Sequence, residues 1–173
     1  ITGMISSFDP HIKITAVEGK VFEPTGSMIK RIEAMDGVAK VSPTLEENAV
    51  ITYHDAQEIV RIKGVGEDYG KSLGFDTLMV DGQFIIKSGE AAMGVFGSGI
   101  ASRLNINPLA NTSAKIFVPK RNASYNSLNP EESLNIATIF PAGVFSLQED
   151  MEKDYVLVPI EMVRKVLDYP TQL

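Results

Sequence analysis

The sequence predicts an α+β fold, and three observations carry that prediction. Short segments of alternating or apolar residues recur along the 173 residues, as half-buried strands do. Three segments instead place apolar residues at helical spacing. Strand and helix patterns are interspersed without a regular βαβ repeat, which is the pattern of an α+β domain.

Composition sets the outer bounds. Apolar residues make up 44% and charged residues 22%, the balance of a folded globular chain. A chain of this length buries roughly 70% of its unfolded surface, so no metal or disulfide staple is required. Cysteine is absent, which excludes a thiol nucleophile and a disulfide framework. A formal net charge of -6 argues against nucleic acid, whose phosphates attract clustered Lys and Arg. His11 and His54 are the two imidazoles, so a zinc site would need carboxylates to complete it. No apolar run reaches the ~18–20 residues that span a bilayer. The start, Ile1-Thr2-Gly3-Met4, lacks the charged and apolar regions of a signal peptide; it reads as a piece of a longer chain.

The elements follow in order. Residues 11–17 (HIKITAV) alternate with Ile12, Ile14 and Ala16 on one face, predicting a strand. Met28, Ile29, Ile32 and Met35 form one helical face, and Gly37 stands where a glycine would end that helix. Residues 38–41 read as a return strand. Residues 49–53 and 58–65 read as paired strands around a turn at 54–57. Residues 64–89 are rich in Gly and Asp and carry no periodic signal. Residues 98–104 predict a short helix with Ile100 and Leu104 on one side. Strands are predicted at 114–118, 134–140 and 155–158. Pro159 then fits the first turn of a helix burying Ile160, Val163 and Leu167. Between two of these strands, residues 119–133 (PKRNASYNSLNPEES) are polar and too long for a tight turn. Loops of that length in compact domains are usually functional or disordered.

The chemical motifs are incomplete. Gly64, Gly66 and Gly70 have their third glycine one residue late for a dinucleotide fingerprint, and are expected to serve as turn glycines. Gly97-Ser98-Gly99 has Phe96 and Ile100 where a nucleophile elbow needs glycines. Glu46-Glu47, Glu131-Glu132 and Glu149-Asp150 are adjacent acidic pairs; neighbours on a strand point to opposite faces and cannot share one substrate there. No catalytic, cofactor-binding or metal residue is assigned. The polar loop is the leading binding element, because recognition residues concentrate on loops held by a rigid scaffold.

The ordered set of segments resembles the periplasmic domain of lipoprotein-releasing (Lol-type) and MacB-like (FtsX-like) ABC-transporter permeases. The segments are HIKITAV (11–17), IEAMDGVAKVSP (32–43), IVRIKGVGEDY (59–69), VDGQF (80–84), GVFGSGIASRLNINP (94–108), AKIFVP (114–119), LNIATIFPAGVF (134–145) and DYVLVPIEMVRKVLDYP (154–170). The resemblance implies a small Porter-like β-α-β unit in residues 1–66 and a β-rich Sabre-like subdomain in residues 67–173. It implies a domain at the bacterial inner membrane, facing the periplasm and doing no chemistry. ATP is then hydrolysed by a separate cytoplasmic subunit or domain, so no cofactor is expected in this domain. In the lipoprotein-releasing branch, a hairpin in the place of residues 119–133 hooks a soluble lipoprotein carrier; Lys120, Arg121, Tyr125, Leu128 and Pro130 are the candidate contacts here. Other implied partners are the ATPase subunit and a second permease. A MacB-like efflux or mechanotransmission role, with a membrane-fusion protein as partner, is the alternative, followed by a free-standing periplasmic binding module or enzyme. The family pattern also calls for a second β-α unit after residue 170. The resemblance therefore implies a chain cut short, with an exposed sheet edge that invites self-pairing.

Overall fold

The computed structural model describes residues 10–72, 74–120, 133–147 and 154–169. The architecture is α+β and is dominated by one sheet. Eight strands run β1 (Leu45–Tyr53), β2 (Ala56–Val65), β3 (Met79–Gly82), β4 (Lys87–Ser88), β5 (Ala91–Gly97), β6 (Ala114–Pro119), β7 (Leu134–Phe145) and β8 (Tyr155–Pro159). Among the described residues four α-helices accompany them: α1 (Gly26–Glu33), α2 (Tyr69–Ser72), α3 (Ser98–Leu104) and α4 (Ile160–Val166).

The strand order is β3-β7-β6-β1-β2-β8-β5-β4, and β7 also pairs with β5. That extra pairing closes β1, β2, β8, β5, β7 and β6 into a ring. The β2–β8 and β5–β7 pairings are parallel, and the other four are antiparallel. Closure pairs each of the six ring strands on both sides, while β3 and β4 end the sheet.

The β1–β2 hairpin shows how local sequence starts the ring. His54-Asp55 forms a two-residue turn pairing Tyr53 with Ala56, and His54 sits at a positive φ of 51°, as the mirror-image hairpin turns require. The ladder runs unbroken from that turn to Leu45↔Gly64. Leu45, Ala49, Ile51 and Tyr53 therefore share one face, which is buried.

All six ring strands contribute to one buried cluster. It includes Ile51, Ile62, Phe96, Ile116, Ile139 and Val156, each fully buried. Helices α3 and α4 add Ile100, Leu104, Ile160 and Val163 to the same core. Full burial of such a side chain stabilises by roughly 1.5–3 kcal/mol. Arg103 on α3 ties the helix to the strands: its Nε donates to Glu58 at 3.1 Å, and its Nη2 bonds Asp154.

Part of the outer face is covered as well. Val65, Val95, Phe145 and Leu157 pack with Tyr69, Phe75 and Ile86 in a second cluster. Phe75 anchors it, with ring centroids 5.0 Å from Phe84 and 5.5 Å from Phe145.

Several sequence expectations are corrected. Residues 11–17 form no strand; Ile12 is 77% exposed and Val17 fully so. Alternation marks a face that a strand would bury, but a strand also needs a ladder partner, and none pairs here among the described residues. Residues 38–41 are likewise not a strand. The first helix forms, capped by Thr25, whose Oγ1 accepts from the Met28 N–H at 3.2 Å. Met28, Ile29 and Ile32 are half-buried, while Met35 lies beyond its end and is exposed. Gly37 takes a positive φ of 85° in the turn that follows, not at the helix end itself. Pro159 is the residue before α4, one position earlier than expected. Apart from these corrections, the sheet joins strands on both sides of residue 66, since β1 pairs with β6 and β2 with β8.

Candidate docking surface

The long hairpin has a well-formed neck. β6 and β7 pair antiparallel from Ala114↔Ile139 to Pro119↔Leu134. One step beyond, the Lys120 N–H donates to the Ser133 carbonyl at 2.8 Å. Asn135 fixes the neck to the end of α4: its amide donates to the Val166 carbonyl at 2.7 Å and to Asp168 Oδ2 at 3.3 Å. Lys120 is exposed at the tip of this ladder. Arg121, Tyr125, Leu128 and Pro130 lie outside the described residues.

A charged cluster spans β1, β2 and β8 on the outer face of the ring. Lys63 is 5% exposed, and its Nζ lies 3.4 Å from Glu46 Oε1. The Tyr155 hydroxyl donates to Glu46 Oε2 at 3.0 Å and accepts from Arg61 Nη1 at 3.0 Å. Lys63 Nζ also sits 5.5 Å from the Tyr69 ring centroid and 5.9 Å from that of Tyr155, within range of cation–π attraction. A buried ammonium is tolerated because a carboxylate and two ring faces replace water.

Burial pushes the Tyr155 phenol above the ordinary tyrosine range; the hydrogen bond from Arg61 opposes this, and the Glu46 charge adds to it. The sign follows from linkage. A phenol whose pKa is raised by folding contributes stability below its unfolded value of about 10 and loses it as pH rises through the folded value. Urea unfolding should therefore show stability falling above pH about 10. Tyr155→Phe should show a smaller fall over the same range; an identical fall would remove Tyr155 as its source.

Sequence reasoning overlooked this cluster, yet a signal for it existed. Counting outward from a two-residue turn at 54–55 places Glu46 opposite Lys63, as the ladder shows. The tyrosines come from distant segments and carried no such signal.

The glycine expectation is corrected at two positions. Gly64 lies inside β2, not in a turn. A Cβ there would stand 2.9 Å from both Ile160 Cα and Val163 Cγ2, so the glycine admits α4 against the strand. Gly70 similarly receives the Phe84 ring, 2.3 Å from where a Cβ would be. Ser98 opens α3, with its Oγ 3.5 Å from Ser146 Oγ. Among the described residues no group of three or more His, Asp or Glu is placed to hold a metal ion. Nor is any helix there long and apolar enough to cross a membrane.

No family profile matches the chain, and no curated protein matches its sequence. Solved structures do match in fold. One is the extracellular domain of the noncanonic ABC-type transporter YknZ from Gram-positive bacteria, with TM-score 0.53 and 17% identity, covering 83% of this chain and 66% of that one. Another is the periplasmic region of MacB from Actinobacillus actinomycetemcomitans, with TM-score 0.52 and 14% identity, covering 88% of this chain and 69% of that one. The chain thus spans about two thirds of each solved domain. The chain shares its fold with the extracytoplasmic domains of two ABC-type transporters, YknZ and MacB.

Proposed function

We propose that this chain is a non-catalytic extracytoplasmic domain of a bacterial ABC-transporter permease. In this reading it docks a periplasmic partner and couples ATP-driven membrane motion to lipoprotein release. The observation that carries the reading is the likeness of its fold to two extracytoplasmic transporter domains. ATP hydrolysis then belongs to a separate cytoplasmic subunit or domain, and a second permease completes the transporter.

The geometry suits a transmitting body. A closed ring with a continuous core moves as a unit, because packed interiors deform little. The β6–β7 ladder that carries the loop is part of that ring and is tied to α4 through Asn135. Displacing the ring therefore displaces the hairpin and whatever it holds. Lys120, Arg121, Tyr125, Leu128 and Pro130 are the proposed contacts, with a lipoprotein carrier as the partner. The likeness to MacB favours a second reading, efflux or mechanotransmission with a membrane-fusion protein docked instead.

The parent polypeptide is expected in the membrane fraction of its source, with this domain cleaved by protease added from the periplasmic side. Recovery as a soluble periplasmic protein would overturn the permease reading in favour of a free-standing binding module.

A further inference from the structure

The outer face of the ring is covered unevenly. Residues 69–86 pack over the ends of β2, β8, β5 and β7. Across the remaining strands runs a row of four apolar side chains set by register: Ile59 on β2 faces Val50 on β1, Val50 faces Phe117 on β6, and Phe117 faces Ile136 on β7. Ile59 is 73% exposed and Ile136 52%; Val50 and Phe117 between them are half-buried. Directly paired residues share a face, so the row is continuous, about 15 Å long at the spacing of neighbouring strands.

The flanks of this row are polar and basic. Arg61 and Asn48 pair on one side of it. Gln57, Thr52, Lys115 and Thr138 pair across the other. Among the described residues, neither of these paired flanks contains a carboxylate. Glu46, further along the same face, is already bound to Lys63 and Tyr155. A chain of net charge -6 thus carries a locally positive apolar strip.

We propose that this strip is a second docking surface, for a partner-protein segment whose apolar side chains are flanked by carboxylates. Charge complementarity selects that occupant. A second copy docking face to face would set basic flank against basic flank, Arg61 or Lys115 against Arg61 or Lys115 of the copy, because a two-fold interface joins the same patch on both chains. An anionic bilayer would meet two flanking cations on a chain that is negative overall, whereas stable adsorption takes a cluster of basic residues. A short acidic segment lies within about 8 Å of the flanking cations, the range over which their charge is felt. This surface is distinct from the hairpin tip and does not depend on the transporter reading.

The test is selection of binders from a displayed library of random peptides about 12 residues long, enough to cross the row as helix or extended chain. Selected peptides are expected to combine apolar residues with Asp or Glu. Their affinity should fall at least about tenfold in Ile59→Ser/Ile136→Ser, as loss of a buried anchor does. It should also fall in Lys115→Glu and weaken with added salt. Circular dichroism of both variants should match wild type, since the altered positions are exposed. Peptides of basic character, or binding unchanged in both variants, would overturn the proposal. So would association with phosphatidylcholine–phosphatidylglycerol vesicles, or a dimer seen by light scattering, if the Ile59→Ser/Ile136→Ser variant abolished it.

Discussion

Replacing Glu46 by glutamine is expected to destabilise the domain by about 3 kcal/mol, the low end of what breaking a buried ion pair costs. Lys63 is almost fully buried, and the Glu46 carboxylate lies 3.4 Å from its ammonium. Glutamine preserves the shape and an acceptor for the Tyr155 hydroxyl but removes the compensating charge. The low end applies because Glu46 keeps about a quarter of its side chain in solvent. The double variant Glu46→Gln/Lys63→Met should recover part of the loss, because it removes the buried charge as well. Urea unfolding of the four proteins measures both statements. Equal stability of wild type and Glu46→Gln would show that the rings and other neighbours suffice to hold Lys63.

The second large effect is expected at Gly64. Valine there would drive its Cβ to 2.9 Å from the Ile160 backbone and from Val163. Backbone cannot rotate aside, so α4 must lift from β2 and the buried contacts of Ile160 and Val163 with it. A loss of about 3 kcal/mol is expected, the upper part of the usual overpacking range. Gly66→Ala is the control: a Cβ there meets nothing within 4 Å, and its effect should stay within about 0.5 kcal/mol. A Gly64→Val protein as stable as wild type would mean that α4 does not press on this strand.

These two sites show what local pattern can and cannot convey. The paired strands at 49–53 and 58–65 and the strand–helix unit from 155 were legible because each combines apolar residues with a turn or a proline signal, and the helix at 98–104 because Ile100 and Leu104 share one side. β5 was not read as a strand from its residues. Its sequence AAMGVFG serves both cores, with Val95 outward and Phe96 inward, so no alternation marks it. The alternation that marks β7 covers only residues 134–140. Pro141 is accommodated opposite Gly94, where the β5–β7 register shifts, and the strand continues to Phe145. Residues 11–17 show the opposite error: a clean alternation without a partner strand. Ring closure was beyond reach, because the parallel pairings β2–β8 and β5–β7 join segments far apart in sequence. The exposed row Ile59, Val50, Phe117 and Ile136 depends on that same long-range register. At the hairpin, the sequence marked a long polar loop and the structure supplies its neck, while the proposed contacts beyond Lys120 rest on the sequence alone.

In the proposed function the loop between β6 and β7 docks a periplasmic partner. The most direct test of that docking is capture of proteins from the periplasmic fraction of the source by the wild-type domain and by Tyr125→Ser/Leu128→Ser. Wild type is expected to capture a lipoprotein carrier, and the variant to lose it. A membrane-fusion protein captured through the same residues would retain the hairpin but move the function to the MacB-like reading. Capture of either partner equally by both proteins would contradict that docking and place the interface elsewhere on the ring.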